Sequence, residues 1–438
     1  MNLTQRLERY FEFGKLGTNW RTETLAGLTT FLTMAYIIVV NPSILREAGM
    51  PPTAVAAATC ISAAVGSALM GAYARYPIAL APGMGINAYF TYTVMLGMGI
   101  SWQVVLGAVF VSGLIFLLLT AAGIQQAIVA AIPPGLYAAV GAGIGLFLAL
   151  IGLRGMGLVT ASPATLVTLG GLSAPNALLG LFGLLVISAL LSWQVPGAMV
   201  IGILLTTGTA AAFGLVQWNV PSYEWSELSG AFLQLDVKSA LSLGLLEIVF
   251  VFWFVDLFDN VGTLLAVGHR AGLFHGARKI PRIRRILLAD GAATTFGSLC
   301  GTSTVVSYIE SAAGVAAGGR SGFAALVTGI LFAASLFAAP VVGLIPTAAT
   351  APALVVVGCL MMSTVKEIQW DDMAVAIPAF LTIMMIPLSY SIANGLAIGI
   401  VTYTLLKVLR GDYKAVSWLV YLLSALFIWR FIYLGAGS

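Results

Sequence analysis

The sequence predicts an all-α polytopic membrane protein of fourteen transmembrane segments, and three observations carry that expectation. Of its 438 residues 60% are hydrophobic and only 8% are charged, against about a quarter charged in a soluble chain. Apolar stretches of spanning length recur along the whole chain. At ~20 residues each, fourteen spans use about 280 residues and leave only short loops. Two of the stretches are interrupted by residues that do not form helix, at matching places in the two halves. No separate soluble domain fits. The 49 glycines suit close helix packing and broken helices in a bilayer.

Residues 1–21 mix charge with Leu3, Leu7, Tyr10 and Phe11 at one-face spacing, which fits a cytoplasmic amphipathic helix on the membrane surface or a frayed tail. No cleavable signal peptide is expected, because this segment is charged and no short apolar core precedes a small-residue cleavage site. A first seven-span repeat then covers 22–216. Its spans are expected at about 23–41, ending at Asn41-Pro42, and about 53–74. The run Tyr76-Pro-Ile-Ala-Leu-Ala-Pro-Gly-Met-Gly-Ile-Asn-Ala-Tyr-Phe90 cannot be one helix, since two prolines and two glycines break it between Pro77 and Gly85. An extended segment followed by a half-helix from Ile86 is predicted as span three. Asn87 then stands near a helix start, either at a substrate site or as a cap in a turn outside the bilayer. Further spans are expected at about 102–121, 135–153, 175–192 and 196–216, with Gly141-Ala-Gly-Ile-Gly145 allowing close backbone approach.

An extracytoplasmic loop, 217–238, carries Glu224, Glu227 and Asp236. The second seven-span repeat covers 239–410. Its first span, about 239–267, leads into the most basic stretch of the chain, His269-Arg270 with Arg278, Lys279, Arg282, Arg284 and Arg285. Basic clusters beside a span mark the cytoplasmic side. With the N-terminus also inside, seven spans put 217–238 outside and the eighth brings the basic loop back in. Lys407, Arg410 and Lys414 again fall inside, while Arg46 and Arg154 are exceptions in outside loops. Span nine, about 286–300, precedes Gly301-Thr-Ser-Thr-Val-Val-Ser-Tyr-Ile-Glu-Ser-Ala-Ala-Gly-Val315, whose β-branched and hydroxyl residues favour extended backbone before a half-helix near Glu310. This repeats the design of span three, and Gly66-Ser67 and Gly297-Ser298 stand at similar places before the two breaks. Seven spans per half is an odd number, so the halves insert in opposite orientations as an inverted repeat, with the breaks facing each other at the midplane. The remaining spans are expected at about 321–344, 351–362, 373–389 and 392–409. In the C-terminal apolar segment, 411–438, residues 415–434 read as peripheral, with a fifteenth span as the alternative.

The chemistry concentrates in the eighth span. Asp256 and Asp259 share one helix face at i, i+3, with Phe252 and Thr263 on the same side. A carboxylate at bilayer depth needs a partner, a wet cavity or a proton. Bracing a neighbouring helix is the plain alternative to a transport role. Glu310, at the start of the second half-helix, is the third acid; Asp290 is expected to pair with one of the nearby arginines. Cys60, Cys300 and Cys359 have no metal spacing, and the two histidines, His269 and His275, lie in the basic loop, so neither metal nor nucleophilic chemistry is expected. No phosphate loop or hydrolase motif is present, so the chain is not expected to be an enzyme.

Stretches spread nearly end to end carry a resemblance: Gly17-Thr18, Arg21-Thr22-Glu23, Ala26 to Tyr36, Leu80 to Tyr89, Asp256-Leu-Phe-Asp259 with Gly262-Thr263, Ser307 to Arg320, and Tyr390 to Gly395. Through them the chain resembles the nucleobase–cation symporter-2 family, in its AzgA-like branch of purine permeases. The resemblance implies a seven-plus-seven inverted repeat divided into core and gate domains. It implies proton-coupled uptake of hypoxanthine, guanine or adenine, held between spans three, eight and ten. Carried over by motif, Asp256 and Glu310 bind the base, Asn87 supports it and Asp259 shapes the site; Asp256, Asp259 and Glu310 are the candidates for proton coupling. Asn260 departs from the pattern, where Thr more often follows the second Asp, and this bears on substrate preference.

Residue chemistry agrees. Purine bases are flat, neutral and rich in N–H donors that carboxylates accept. Ser307 and Thr263 add hydroxyls, and Phe252, Trp253 and Tyr308 add apolar or stacking surface, unless they only pack or face lipid. No cofactor is expected beyond a coupling ion, H⁺ in the first instance. The expected partners are a purine base and the lipid bilayer of the cell membrane, with no nucleic acid, and the chain is compatible with a homodimer. A uracil or xanthine transporter of the same fold is the near alternative; an anion exchanger, which needs Arg or Lys at the site or half-helix N-termini without acids, and a channel are the more distant ones.

Overall fold

The computed structural model describes residues 2–216, 225–242, 245–270 and 281–433. Among the described residues eight helices are long and apolar enough to cross a membrane: Trp20–Glu47, Pro52–Ala74, Trp102–Ala121, Pro134–Gly155, Pro175–Ser192, Gly322–Val342, Thr347–Glu367 and Ile392–Leu409. Ala198–Ala212, Met373–Leu388 and Trp418–Ile432 are shorter and also apolar. Two more, the acidic helix Leu246–Arg270 and the helix Ile283–Cys300, carry polar residues inward. This is a helical, multi-pass membrane protein. The centre of the basic loop, with His275, Arg278 and Lys279, and Glu224 of the acidic loop lie outside the described residues.

Local chemistry explains most helix ends. Pro52, Pro134 and Pro175 each occupy a first turn, where a missing N–H costs nothing. Gly301, at φ +98°, ends Ile283–Cys300, and a Cβ there would lie 2.6 Å from the carbonyl oxygen of Ala231. Expectation fails at Asn41-Pro42, where the chain does not stop. After a turn at Ala35-Tyr36 the helix resumes as Ile37–Glu47 with Pro42 inside it. Buried neighbours hold it, as bilayer helices tolerate proline when packing re-satisfies the freed carbonyl.

Four short strands are present among the described residues. β1 (Leu80–Pro82) and β4 (Val305–Ser307) are the two predicted breaks; β2 (Val159–Ser162) and β3 (Leu166–Leu169) form an exposed hairpin between two of the expected spans. The helices pack in two groups. Trp20–Met34, Pro52–Leu69, Trp102–Ala121, Ile283–Cys300 and Gly322–Ala334 surround the two breaks. Pro134–Gly155, Pro175–Ser192, Thr347–Met361, Met373–Leu388 and Ile392–Leu409 pack mainly on one another. The N-terminal helix Leu3–Tyr10 lies at the end of the bundle that holds the arginines: Tyr10 donates to the carbonyl of Ala72 at 2.6 Å, and Glu12 pairs with Arg75 and Arg282 at 3.5 and 3.8 Å. The C-terminal helix Trp418–Tyr433 packs on Ile392–Leu409, and Arg430 pairs with Glu247 at 2.5 Å.

Glycines set the closest crossing in the second group. A Cβ on Gly145 would lie 2.7 Å from the carbonyl oxygen of Gly358, and one on Gly358 would lie 2.3 Å from that of Gly145. Gly358→Val therefore forces two backbones apart. Overpacking of this kind costs about 1–3 kcal/mol; a lowered melting temperature in detergent is expected, and unchanged melting would contradict this crossing.

Candidate functional site

Extended backbone among buried helices must find partners for its N–H and C=O groups. Here the two breaks satisfy each other. β1 pairs antiparallel with β4, Leu80 opposite Ser307, Ala81 opposite Val306 and Pro82 opposite Val305. Gly83 N–H donates to Thr304 at 2.9 Å and Tyr308 N–H to Ala79 at 3.0 Å, extending the ladder at both ends. Pro82 is tolerated because this ribbon has only edges. Hydroxyls finish the accounting. Ser67 bonds both the N–H and the C=O of Leu80 at 3.0 Å, and Thr294 bonds both groups of Val305 at 3.1 Å. The counterpart of Ser67 is thus Thr294 and not Ser298, whose hydroxyl goes to Thr295 of its own helix. Gly66 and Gly297 leave room for the Val305 side chain, which a Cβ would meet at 3.1 and 2.6 Å.

The paired breaks form one wall of a cavity. Gly83, Met84 and Gly85 line it from the first half-helix; Val306 to Glu310 from the second; Phe258, Asp259, Gly262 and Thr263 from the acidic helix. The facing wall comes from the other helix group, with Pro134, Tyr137, Val140 and Ile144 on one helix and Val357 and Met361 on another. Among the described lining residues the charged groups are Asp259, Glu310 and, near the end of its helix, Glu367; there is no Lys or Arg. Glu310 accepts a hydrogen bond of 2.6 Å from Tyr36 Oη and interacts electrostatically with Asp259. Tyr137 and Phe258 lie with ring centroids 4.6 Å apart on adjoining walls. Tyr308 donates to the carbonyl of Pro82 at 2.5 Å, which holds its ring against β1. The arrangement offers acceptors, aromatic faces and small-residue backbone to a flat, donor-rich ligand.

Of the residues singled out from sequence, Asp259, Glu310, Thr263, Ser307 and Tyr308 line this cavity. Asp256, Asn87 and Phe252 do not. Asp256 is 1% exposed and turned toward Thr294, whose hydroxyl donates to it at 3.4 Å. Phe252 packs on Tyr89 and Phe90 at 5.3 and 6.3 Å. Asn87 is saturated by a buried polar network: its amide donates to Asn41 at 2.5 Å, its carbonyl accepts from Ser303, and Asn41 donates on to Thr59 and Thr302 at 2.7 and 2.9 Å. Among the described residues Asp290 pairs with no arginine; Arg282 and Arg284 reach the carbonyls of Ala74 and Ala121 at 3.5 and 2.9 Å, and Arg285 lies 5.9 Å from the Tyr73 ring. Sequence reasoning gave no role to Tyr36 or Tyr137. Tyr36 ends the motif Ala26 to Tyr36, which was its signal; nothing local marked Tyr137.

A family model described as "Permease family" matches residues 21–398. The chain is 53% identical to a putative permease of Methanocaldococcus jannaschii, over 98% of both chains. It is 46% identical to the guanine/hypoxanthine permease PbuG of Bacillus subtilis, over 98% of this chain and 100% of that one. The chain belongs to the nucleobase–cation symporter-2 family. A further member, the adenine permease AdeP of Escherichia coli, is 40% identical over 98% of this chain and 97% of the other. Among solved structures the transmembrane domain of the cyanobacterial bicarbonate transporter BicA matches with a TM-score of 0.62 at 17% identity, over 87% and 97% of the two chains. SLC26A9 matches with a TM-score of 0.64 at 12% identity, over 89% and 65%. These two share the fold of the symporter-2 chain. Family membership makes it a permease and not an enzyme.

The network position of Asn87 yields a test. Asn87→Ala takes the hydrogen-bond partner from the side-chain carbonyl of Asn41 and from the hydroxyl of Ser303, at about 1–3 kcal/mol per orphaned group. The variant is expected to melt earlier. Unchanged melting together with lost ligand binding would instead make Asn87 a direct ligand.

Proposed function

We propose that this permease imports purine nucleobases across the cell membrane by proton symport, with its N-terminus in the cytoplasm. The observation that carries the reading is the pair Asp259 and Glu310 in one cavity with no cation beside them. Carboxylates only accept, and the purine edge supplies N–H donors; charge-assisted bonds of this type are the strong ones. The ring of Tyr137 gives the base an apolar face. An anion carrier needs Arg or Lys at its site, or half-helix N-termini free of acids; this cavity has acids, so in this proposal the fold shared with bicarbonate and SLC26 transporters does not extend to their substrates.

Fourteen segments in a seven-plus-seven inverted repeat, with a core moving against a gate, account best for these features. The extended breaks, each served by one hydroxyl from the preceding helix, are the strongest sign of the repeat. The helix group around the breaks acts as the core and the other group as the gate, and the base is held between them. The same interface is closed elsewhere by Arg46 bonding Thr347 at 3.2 Å and by Thr93 bonding the carbonyl of Tyr390. Arg46 and Arg154, the two exceptions to the charge rule, belong to that closed side; Arg154 shares a small polar cleft with Glu47 and Tyr92. In this proposal the cavity faces the cytoplasm and the outer side is shut. A proton entering with the base lowers the charge that the core carries through the apolar barrier.

Labelled hypoxanthine uptake in transport-deficient cells tests the reading. Saturable uptake, competed by guanine or adenine and abolished by a protonophore, is expected. Asp259→Asn and Glu310→Gln each remove a charge-assisted acceptor worth about 1.5–3 kcal/mol, so affinity should fall about 10- to 100-fold with protein still in the membrane. Competition by uracil or xanthine alone would move the substrate class, and purine-independent ionic current would replace the symporter by a channel.

A further inference from the structure

We propose that Asp290, with Asp256, forms a proton-binding site of its own behind the substrate cavity, and that this proton is the one carried with the base. The proposal rests on the symport reading above and assigns it a group that the cavity does not contain. Asp290 lies in the middle of Ile283–Cys300, is fully buried, and neither of its carboxyl oxygens has a hydrogen-bond partner among the described residues. One oxygen of Asp256 is likewise unpartnered, and the two carboxyls act on each other electrostatically.

The two helices present complementary faces. Asp256 and Asn260 are four residues apart on one, Asp290 and Thr294 four apart on the other. They meet in opposite directions. Thr294 donates to Asp256, while Asn260 faces Asp290 without the geometry of a full hydrogen bond, its Nδ2 having no other partner. The result is a closed cell of two acids, one amide and one hydroxyl.

Among the described residues no cation answers these acids. From the acidic helix Asp256 and Asp259 act on Asp290. The other helices packed on Ile283–Cys300 are Trp102–Ala121, which has no ionisable side chain, and Pro52–Ala74, whose ionisable groups are the Cys60 thiol and the Tyr73 phenol, neither of them a cation. At the near end of its own helix Arg282, Arg284 and Arg285 are engaged elsewhere, as described. Two like charges in a dry interior cannot both persist, and the least bulky way to relieve them is a proton. Among the described residues no group of three acids, histidines or cysteines is placed to hold a metal ion. Uptake of one proton forms one O–H bond on a carboxyl oxygen and removes one negative charge; release breaks the same bond on the other side of the membrane.

The cell is also wired to the cavity. Asn260 Oδ1 accepts from the N–H of Ser307 at 3.4 Å, and Thr294 holds Val305, so both neutral members grip β4. β4 runs on directly into Tyr308 and Glu310 on the cavity wall. A base drawing on Glu310 and Asp259 therefore shifts the strand and helix that frame the pair, and protonation of the pair shifts the cavity wall in return, as linkage requires.

The test uses the full chain reconstituted in liposomes. Asp290→Asn is expected to exchange labelled hypoxanthine against unlabelled at the wild-type rate, to lose accumulation driven by a proton gradient, and to lose base-induced proton flux. Gradient-driven accumulation and proton flux at wild-type level in Asp290→Asn would overturn the proposal. If the wild type itself accumulates base on a sodium gradient and not on a proton gradient, the symport reading fails first, and the control shows it without the variant. Should Asp290→Asn not fold, the unaltered protein decides the matter by carbodiimide labelling, which modifies protonated carboxyls in apolar surroundings. Labelling at Asp290 or Asp256 that fades as pH rises is expected; equal absence of label at both across the pH range would refute the site.

Discussion

Two short stretches of extended chain, deep among helices, can exist there only because each supplies the hydrogen-bond partners of the other. The β1–β4 pairing is the constraint on which the rest depends. Without it six residues of backbone would be orphaned in apolar surroundings, and the half-helices beginning at Met84 and Ser311 would have no fixed origin. With it, Glu310 and the Gly83–Gly85 backbone are brought beside Asp259 on one wall. The hydroxyls of Ser67 and Thr294 finish the job from neighbouring helices, so the site is held by rigid elements on every side.

The acids divide between two tasks that their sequence spacing does not separate. Asp259 looks into the cavity; Asp256, less than a turn earlier, looks back toward Asp290 and Thr294. A rotation of about 100° per residue puts i and i+3 near one face, but a wall and its reverse side can lie within that width. In the proposed mechanism substrate and proton use opposite sides of one helix and communicate through the strand both sides touch.

Much of this was legible in the sequence, for physical reasons that differ by element. Charge depletion fixed the membrane class. Pro77, Pro82, Gly83 and Gly85 announced the first break, and the β-branched run to Val306 announced the second. That they would pair strand to strand was not legible, because neither has the alternating pattern of a two-faced sheet. Asn87 shows the limit of sequence: an amide near a helix start serves a ligand or a network equally well, and only the positions of Asn41 and Ser303 show which partners it has. Asp290 looked like the partner of the arginines on its own helix because sequence distance is short there. In three dimensions those arginines reach the bundle end, about two turns away. Tyr36 and Tyr137 come from helices remote in the chain, and no local signal could bring them to the acids.

The most direct measurement is a cryo-electron microscopy map of the protein with hypoxanthine bound. The account predicts density for one planar base between the carboxyls of Asp259 and Glu310 and against Tyr137, with β1 and β4 still paired beside it. A base bound away from both carboxyls, or the two strands apart with helix in their place, would contradict it.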